Sequence, residues 1–486
     1  MRKHLIGLTL VIAAALAVIS CGGSSTTSQT GTTPAGSGQL ALMGTDAPVC
    51  GVASFKVTIT SATLTPQGGG TPVSVIDSSD PVTVDFASLM GFNTLLNMSS
   101  VSTGTYSQVS FTFMPNPSLT VFEGTPPAPT EISATLTQTT VTANIVPALQ
   151  VTDSGSSGLT LDFRLFQSIQ TDPATGQITG QVDPSIRVIP AVITSLSGLG
   201  ELDNLNGIVQ TVTTASSNSS FTLRVRNRRT FQVNVASNTR FEGVSDLSGL
   251  SQGMFVEVDA RVDQDGNIVA KHVESEAETD ATTAAFVGHV LSVATDSAGN
   301  ATQLTLFVRA EHPDVSTTVP LHSVVTVNLT PSTGFRIATF GADLSTFLFS
   351  ASAIARGQHV VVHGPFTGGS TPTVTGNLIV LRPQPVLGNA LASPGPVVGS
   401  DGKTGGYYLA PCNPLFQNQT VNVVTFYNTF FNNLTDLNSL DNSSAYLNRG
   451  FLLYTTTSGS LNGLSWTTPP PAYVFPAYVV RKLNLP

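Results

Sequence analysis

The chain has 486 residues, too many for one hydrophobic core, so three or four domains of ordinary size are expected. Hydrophobic residues make up 41%, enough to fold, whereas charged residues reach only 10% against roughly 25% in an average soluble domain. A net charge of −9 without any Lys/Arg-rich run argues against nucleic acid as a partner, and the wealth of Ser, Thr, Gly and Pro argues against long helices.

In chain order, Arg2 and Lys3 precede an apolar run over 5–19 that is shorter than the ~20 residues a membrane-spanning helix needs. Residues 1–20 therefore read as a secretory signal peptide. The junction Val18-Ile19-Ser20-Cys21 resembles the lipobox of bacterial lipoproteins, which implies that Cys21 is diacylated and becomes the new N-terminus. Two acyl chains anchor stably where one would not. Residues 21–38 contain after Cys21 only Gly, Ser, Thr, Gln, Pro and Ala and read as a lipidated flexible tether. Gly22 is not the Asp that retains such proteins in the inner membrane, so the outer membrane is the expected address.

Period-two alternation dominates the remainder of the chain. Phe55, Val57 and Ile59 share one face of a predicted strand, and Leu161, Phe163 and Leu165 share another. Turn signals separate such runs at Gln67-Gly68-Gly69-Gly70, Asp172-Pro173, Asp265-Gly266-Asn267 and Asp401-Gly402. Helical patterning is confined to 88–96 and 343–355. The expected fold class is all-β: a β-sandwich over 39–196, then two or three small β-barrel-like repeats. In the first part, Thr45-Asp46-Ala47-Pro48, Gly104-Thr105-Tyr106, Leu161-Asp162-Phe163 and the run 182–188 recur in an order that resembles domain-of-unknown-function family forty-three eighty-two. That resemblance implies a β-sandwich of a kind found in lipoproteins. The family usually has a second acid after Asp-Phe, where this chain has Arg164, so it carries no cation-binding acidic pair over to this sequence. Asp46 with Pro48 reads as an Asx-type turn ending the first strand, and Tyr106 as a core ring whose hydroxyl reaches backbone.

The second part repeats itself. Val233-Asn234-Val235-Ala236-Ser237-Asn238-Thr239-Arg240-Phe241 returns as Val327-Asn328-Leu329-Thr330-Pro331-Ser332-Thr333-Gly334-Phe335. Gly207-Ile208-Val209 answers Gly288-His289-Val290, Phe221-Thr222-Leu223 answers Leu304-Thr305-Leu306, and Gly253 answers Gly357. These place repeats at 205–280 and 285–384. Over 386–486, Val421-Asn422-Val423 and Leu434-Thr435-Asp436-Leu437 suggest a degenerate third copy, and at this level that question stays open. The pattern resembles domain-of-unknown-function family fifty-six sixty-six, which implies a small barrel and brings no functional residues with it. Asn and Thr at the shared positions are expected to bond neighbouring backbone. Phe241→Ala should cost ~3–5 kcal/mol if its ring is core.

Chemistry is sparse. Gly249-Leu250-Ser251-Gln252-Gly253 fits the G-x-S-x-G nucleophile elbow, but a strand follows it and Ala355 replaces Ser251 in the second copy, so a turn is expected. Asp263, Asp265 and Asn267 bunch in the manner of calcium ligands, yet Gly266 stands fourth where an EF-hand wants its Gly sixth, and an Asp-Gly hairpin turn fits better. His359 and His363 share a strand face but lie ~13 Å apart by the ~3.3 Å rise, too far for one ion. No Ser/His/Asp set can be argued from spacing. Catalytic, cofactor-binding and metal residues are thus called as none, and the one site residue is Cys21, the lipid attachment. No C-x-x-C pair exists, and Cys50 and Cys412 fall in different predicted domains, so no bridge between them is expected as the main covalent staple.

The function expected is that of a non-enzymatic outer-membrane lipoprotein of the bacterial cell envelope. It would act as a binding or spacer module toward glycans or another surface protein. The alternatives are a structural subunit of a surface assembly, or a periplasmic enzyme whose site is assembled from scattered residues.

Overall fold

Strand after strand follows from the alternating pattern, and the fold is all-β, with 63% of residues in strands and 5% in helices. The computed structural model describes residues 36–483 apart from 47–48, 193–200, 216–218, 226–228, 279–282, 313–314, 316, 339–343, 345–346 and 468–471. The expected signal peptide, Cys21 and most of the expected tether lie outside the described residues. Among the described residues, no helix is long and apolar enough to cross a membrane.

The first strand, Ser37–Thr45, is buried on both faces, which is why Leu-Ala-Leu-Met at its centre does not alternate with polar residues. Leu40 and Leu42 enter the sandwich core, while Ala41 and Met43 enter the core of the first barrel. This strand pairs in parallel with Ser156–Asp162 and antiparallel with Thr94–Ser102. The facing sheet centres on Val52–Pro66, whose Phe55, Val57 and Ile59 are at most 1% exposed. Phe163 packs between the sheets against Phe55, Phe86 and Phe113, with ring centroids 5.1–5.5 Å apart. Leu165 is buried as expected but opens a one-turn helix, Leu165–Ser168, because the strand has ended at Asp162. The expected helix at 88–96 is instead a single 3-10 turn, Phe86–Leu89, stopped by Gly91 at φ +72° before the strand begins at Thr94. Around 343–355 the described residues hold only the 3-10 turn Ala351–Ala353.

Three five-stranded rings follow, with one strand order. The first runs Glu201–Thr213, Ser220–Val225, Thr230–Glu242, Ile268–Glu278, Met254–Val262 and closes on itself. The second runs Thr283–Thr295, Ala301–His312, Val324–Ile337, Thr373–Leu381, His359–Thr367. In the last hundred residues, Gln384–Ala390 pairs with both Gly405–Pro411 and Ala445–Gly450, and Val421–Asn432 and Ala472–Leu483 complete the same ring. Each ring contains one parallel pair, and its register breaks at the same place: Val235/Arg240, Leu329/Gly334 and Thr425/Phe430.

A threonine bridges every break. Thr239 Oγ1 accepts the Ala236 N–H (3.0 Å) and donates to the Ala270 carbonyl (2.8 Å). Thr333 does the same between Thr330 (2.9 Å) and Gly376 (2.7 Å), and Thr429 between Phe426 and Ala477 (both 2.8 Å). Backbone groups orphaned by a bulge must find partners when buried, and this hydroxyl supplies both roles. The opening strand of each ring carries Gly207, Gly288 or Gly388, where a Cβ would strike the facing carbonyl oxygen of Arg224, Phe307 or Ala410. Phe241 is only half-buried at the edge of its core, so Phe241→Ala should cost nearer ~2 kcal/mol than the cost of emptying a core site.

The rings do not trail away from the sandwich. Cys50 and Cys412 are joined in a disulfide with 5.5 Å between their Cα atoms, which corrects the expectation that they remain apart. The third ring returns to the sandwich, where Leu415 packs with Ala53, Phe122, Leu291 and Phe307. Sequence separation hid this contact, because the two cysteines stand 362 positions apart. Closing so long a loop constrains the unfolded chain more than the ~4.7 kcal/mol of a 100-residue loop in the chain-entropy account.

Two outcomes are expected. Peptide mapping under non-reducing conditions should recover the Cys50–Cys412 pair, and free thiols at both positions would contradict it. Thr429→Val keeps the side-chain shape but strands the Phe426 N–H and the Ala477 carbonyl, so urea unfolding should show about 2–3 kcal/mol lost.

Candidate binding cavity

Where the sandwich and the three rings converge they line a partly open cavity of about 390 Å³. Most of its wall is apolar, with Val84, Leu89, Leu96, Leu205, Val287 and Val386 among the lining, and the Cys50–Cys412 bridge forms part of one side. Its polar lining includes Asp85, Arg309, His289 and His359, which are in mutual contact, and also Lys56, Asp203 and His312.

Asp85 ends the strand Val82–Asp85 of the sandwich and is bonded on every side. Its carboxylate accepts the Phe55 N–H (2.9 Å), the Ser54 hydroxyl (3.0 Å) and the Arg309 guanidinium (3.1 Å). Burial pushes this carboxyl up, but Arg309, His322 and the Phe55 N–H together hold it below the usual carboxylate range. Ser54 is fully buried and also meets His322 Nε2 at 2.9 Å. A Ser, a His and an Asp are therefore in contact, which spacing in the sequence did not disclose. Their polarity is wrong for a nucleophile: the serine proton goes to Asp85, so His322 Nε2 must donate to Ser54 rather than take its proton. The trio clasps the second ring to the sandwich.

His289 and His359 lie opposite each other on neighbouring strands, with ring centroids 5.0 Å apart. Arg309, which only donates, approaches His289 Nε2 at 3.4 Å. His359 Nδ1 faces the Pro383 carbonyl at 3.3 Å and so carries its proton there. Burial first, then Arg309, pushes His359 down to about 4. Burial, His359 and Arg309 push His289 well below its ordinary value, against the Gly357 carbonyl. Both imidazoles are neutral at pH 7.

Outside the cavity lining, the first two rings are locked by buried charge. Arg382, 2% exposed, meets Glu257 and lies 3.4 Å from Glu274, and Arg336 reaches the other Glu274 oxygen at 3.1 Å. Both acids belong to the first ring, Arg336 belongs to the second, and Arg382 directly follows the second ring's strand Thr373–Leu381. Burial pushes Arg382 down to about 9, opposed by Glu242 and Tyr478, so it keeps its charge at pH 7. Arg449 of the third ring joins the cavity-lining Asp203 (3.5 Å), the Gly91 carbonyl (3.0 Å) and the face of Phe92, also in the lining.

The other sequence candidates lie elsewhere. Ser251 sits exposed in a turn, its N–H on Met254 Sδ at 3.3 Å. Asp263 Oδ1 accepts the N–H groups of Asp265 (3.0 Å) and Asn267 (2.8 Å), an Asx turn that Asp296 copies with Ala298 and Asn300. Asp46 Oδ1 accepts the Leu165 N–H at 3.1 Å and so starts the one-turn helix that follows the neighbouring strand of its own sheet, while Ala47 and Pro48, on which the expected Asx-type turn depends, lie outside the described residues. Tyr106 donates to the Ser102 carbonyl at 2.7 Å with its ring buried, and Arg164 donates to Ser185 at 2.9 Å. His363 is half-buried on the strand of His359. Among the described residues no group of three or more His, Cys, Asp or Glu is placed to hold a metal ion.

A pH dependence results. Unfolded histidine titrates near ~6.5, so the folded state binds fewer protons than the unfolded chain between there and about 4 for His359. Stability is complete above the higher value and is lost as pH falls through the window, with Asp85 adding to the loss further down. Thermal unfolding at pH 7 and pH 4.5 should show a drop in Tm, and His359→Phe should flatten it. An unchanged slope would mean that His359 is not buried neutral.

Two family models match the chain. Residues 206–274, the first ring, match Domain of unknown function (DUF5666). No curated protein matches. Residues 37–180 match Domain of unknown function (DUF4382), so the chain carries a DUF4382 segment followed by a DUF5666 segment, in the order its motifs imply.

Proposed function

We infer that this chain is a non-enzymatic binding protein of the cell envelope, held at the outer membrane by acyl chains on Cys21, and that its body receives a small molecule in the junctional cavity. The observation that carries the reading is the cavity itself. Some 390 Å³ bounded mainly by aliphatic side chains, with a few convergent polar groups, is what a small-ligand site needs. The hydroxyl-rich composition suggested glycans as ligands, whereas the cavity wall suits a less polar occupant. Engagement of a glycan or another surface protein is a second reading, favoured by Tyr427 (77% exposed) and Phe430 (61%) on the bulge of the third ring. Tyr427→Ala with Phe430→Ala should abolish retention on purified envelope glycans if that surface is used.

The cavity is tested with N-phenyl-1-naphthylamine, a neutral fluorophore that brightens in apolar surroundings. One saturable site is expected, lost in Ala310→Phe, which places a ring in the cavity at a half-buried lining position. Unchanged binding in that variant would remove the cavity from the function. For the anchor, Cys21→Ser should release the protein from membranes or leave an unprocessed precursor. A variant that fractionates like wild type would end the lipoprotein reading.

A further inference from the structure

The repeats supply an internal control for the cavity. Gly253 and Gly357 occupy one position, each donating its N–H to the opening strand of its ring, at Val209 (2.9 Å) and Val290 (2.8 Å). Two residues beyond each glycine, the ladder pairs Phe255 with Ile208 in the first ring and His359 with His289 in the second. In the third ring the opening strand carries Asn389 beside Ala445. An apolar pair therefore satisfies this place in the scaffold, and folding does not call for imidazoles there. The two histidines replace it in the one ring that turns this position toward the cavity.

His359 is held with one nitrogen in use. Its backbone N–H donates to Gln384 Oε1 at 2.7 Å, and Nδ1 donates to Pro383 at 3.3 Å. Nε2 then bears a lone pair, and among the described residues nothing donates to it. Of the two basic side chains in the lining, Arg309 is already matched by Asp85 at 3.1 Å and Lys56 is itself engaged. A carboxylate ligand would bring an unmatched negative charge and no proton for Nε2. An ammonium ligand would bring a second cation beside Arg309. A neutral hydroxyl or N–H group meets both conditions.

We propose that the cavity takes an uncharged, mainly apolar molecule bearing a hydroxyl or N–H donor, and that His359 Nε2 accepts this donor and sets the specificity. The proposal rests on the cavity being the binding site. The ring stays neutral far below pH 7, as an acceptor must. No covalent chemistry is implied.

The test is calorimetric titration of the full chain with three ligands of one apolar body, 4-butylphenol, 4-butylanisole and 4-butylbenzoate. The phenol should bind about tenfold tighter than either of the others. His359→Phe, the residue the first ring already tolerates at this place, should lower phenol affinity to that of the anisole and leave the anisole within about threefold, consistent with loss of one hydrogen bond. His359→Gln, whose amide oxygen can accept, should restore part of the preference. Equal binding of phenol and anisole, tighter binding of the benzoate, or a preference that survives His359→Phe would overturn the proposal while leaving the cavity as a site. Binding of none of the three would overturn the cavity reading and the proposal with it.

Discussion

Charge buried between the first two rings sets the arrangement of everything else. Arg382 remains ionised in a nearly dry site with Glu257 and Glu274 against it and Glu242 and Tyr478 opposing the effect of burial, and the two contacting acids depend in turn on Arg382 and Arg336. Breaking a buried pair by removing one partner typically costs ~3–5 kcal/mol, since the other charge is left without compensation. The rings are therefore held in one register and one orientation. That orientation turns the His289–His359 face toward the sandwich, where Asp85 and Arg309 meet. The two-faced first strand acts in the same sense from the opposite side, since Ala41 and Met43 have no core unless the first ring supplies one. The second ring shares its core with residues of both neighbours, Ile208 and Phe255 on one side and Val424 and Phe451 on the other.

The repeated barrel separates what folding needs from what it does not. Thr239, Thr333 and Thr429 perform one backbone task three times, and Gly207, Gly288 and Gly388 sit where a facing carbonyl leaves no room for a side chain. The positions that vary are the informative ones. His289 and His359 replace Ile208 and Phe255, and Tyr427 and Phe430 stand exposed on a bulge whose counterparts carry Ser237, Arg240, Pro331 and Gly334.

Local pattern was legible and long-range contact was not. Phe55, Val57 and Ile59 disclosed their buried face through spacing alone, and the shared Thr239/Thr333 position disclosed a backbone role. The span 88–96 misled because Leu89, Met90, Phe92, Leu95 and Leu96 lie at spacings a helix would use, although a turn buries Leu89, a strand buries Leu95 and Leu96, and Phe92 is buried in the link between them. Thr429 went unnoticed because the residues around it, Phe426 to Phe431, share little with the other bulges. The cavity was out of reach for a different reason: its central ion pair joins Asp85 to Arg309, 224 positions away. One trace was present, since the alignment of Gly207-Ile208-Val209 with Gly288-His289-Val290 already set a histidine where its partner copy is aliphatic.

The Cys50–Cys412 bridge also decides how the molecule carries mechanical load. A pull applied at the N-terminal side enters through Ser37–Thr45 and reaches Cys50 within a few residues. There the covalent link passes tension directly to the third ring, and the whole segment between the cysteines is shunted out of the loaded path. Only the first strand and the segment after Cys412 can be drawn out. Because Ser37–Thr45 is hydrogen-bonded along both edges, drawing it out means shearing two ladders at once rather than unzipping one. The walls of the cavity, built almost wholly from residues inside the bridge, would keep their shape under a pulling force that strains both ends of the chain.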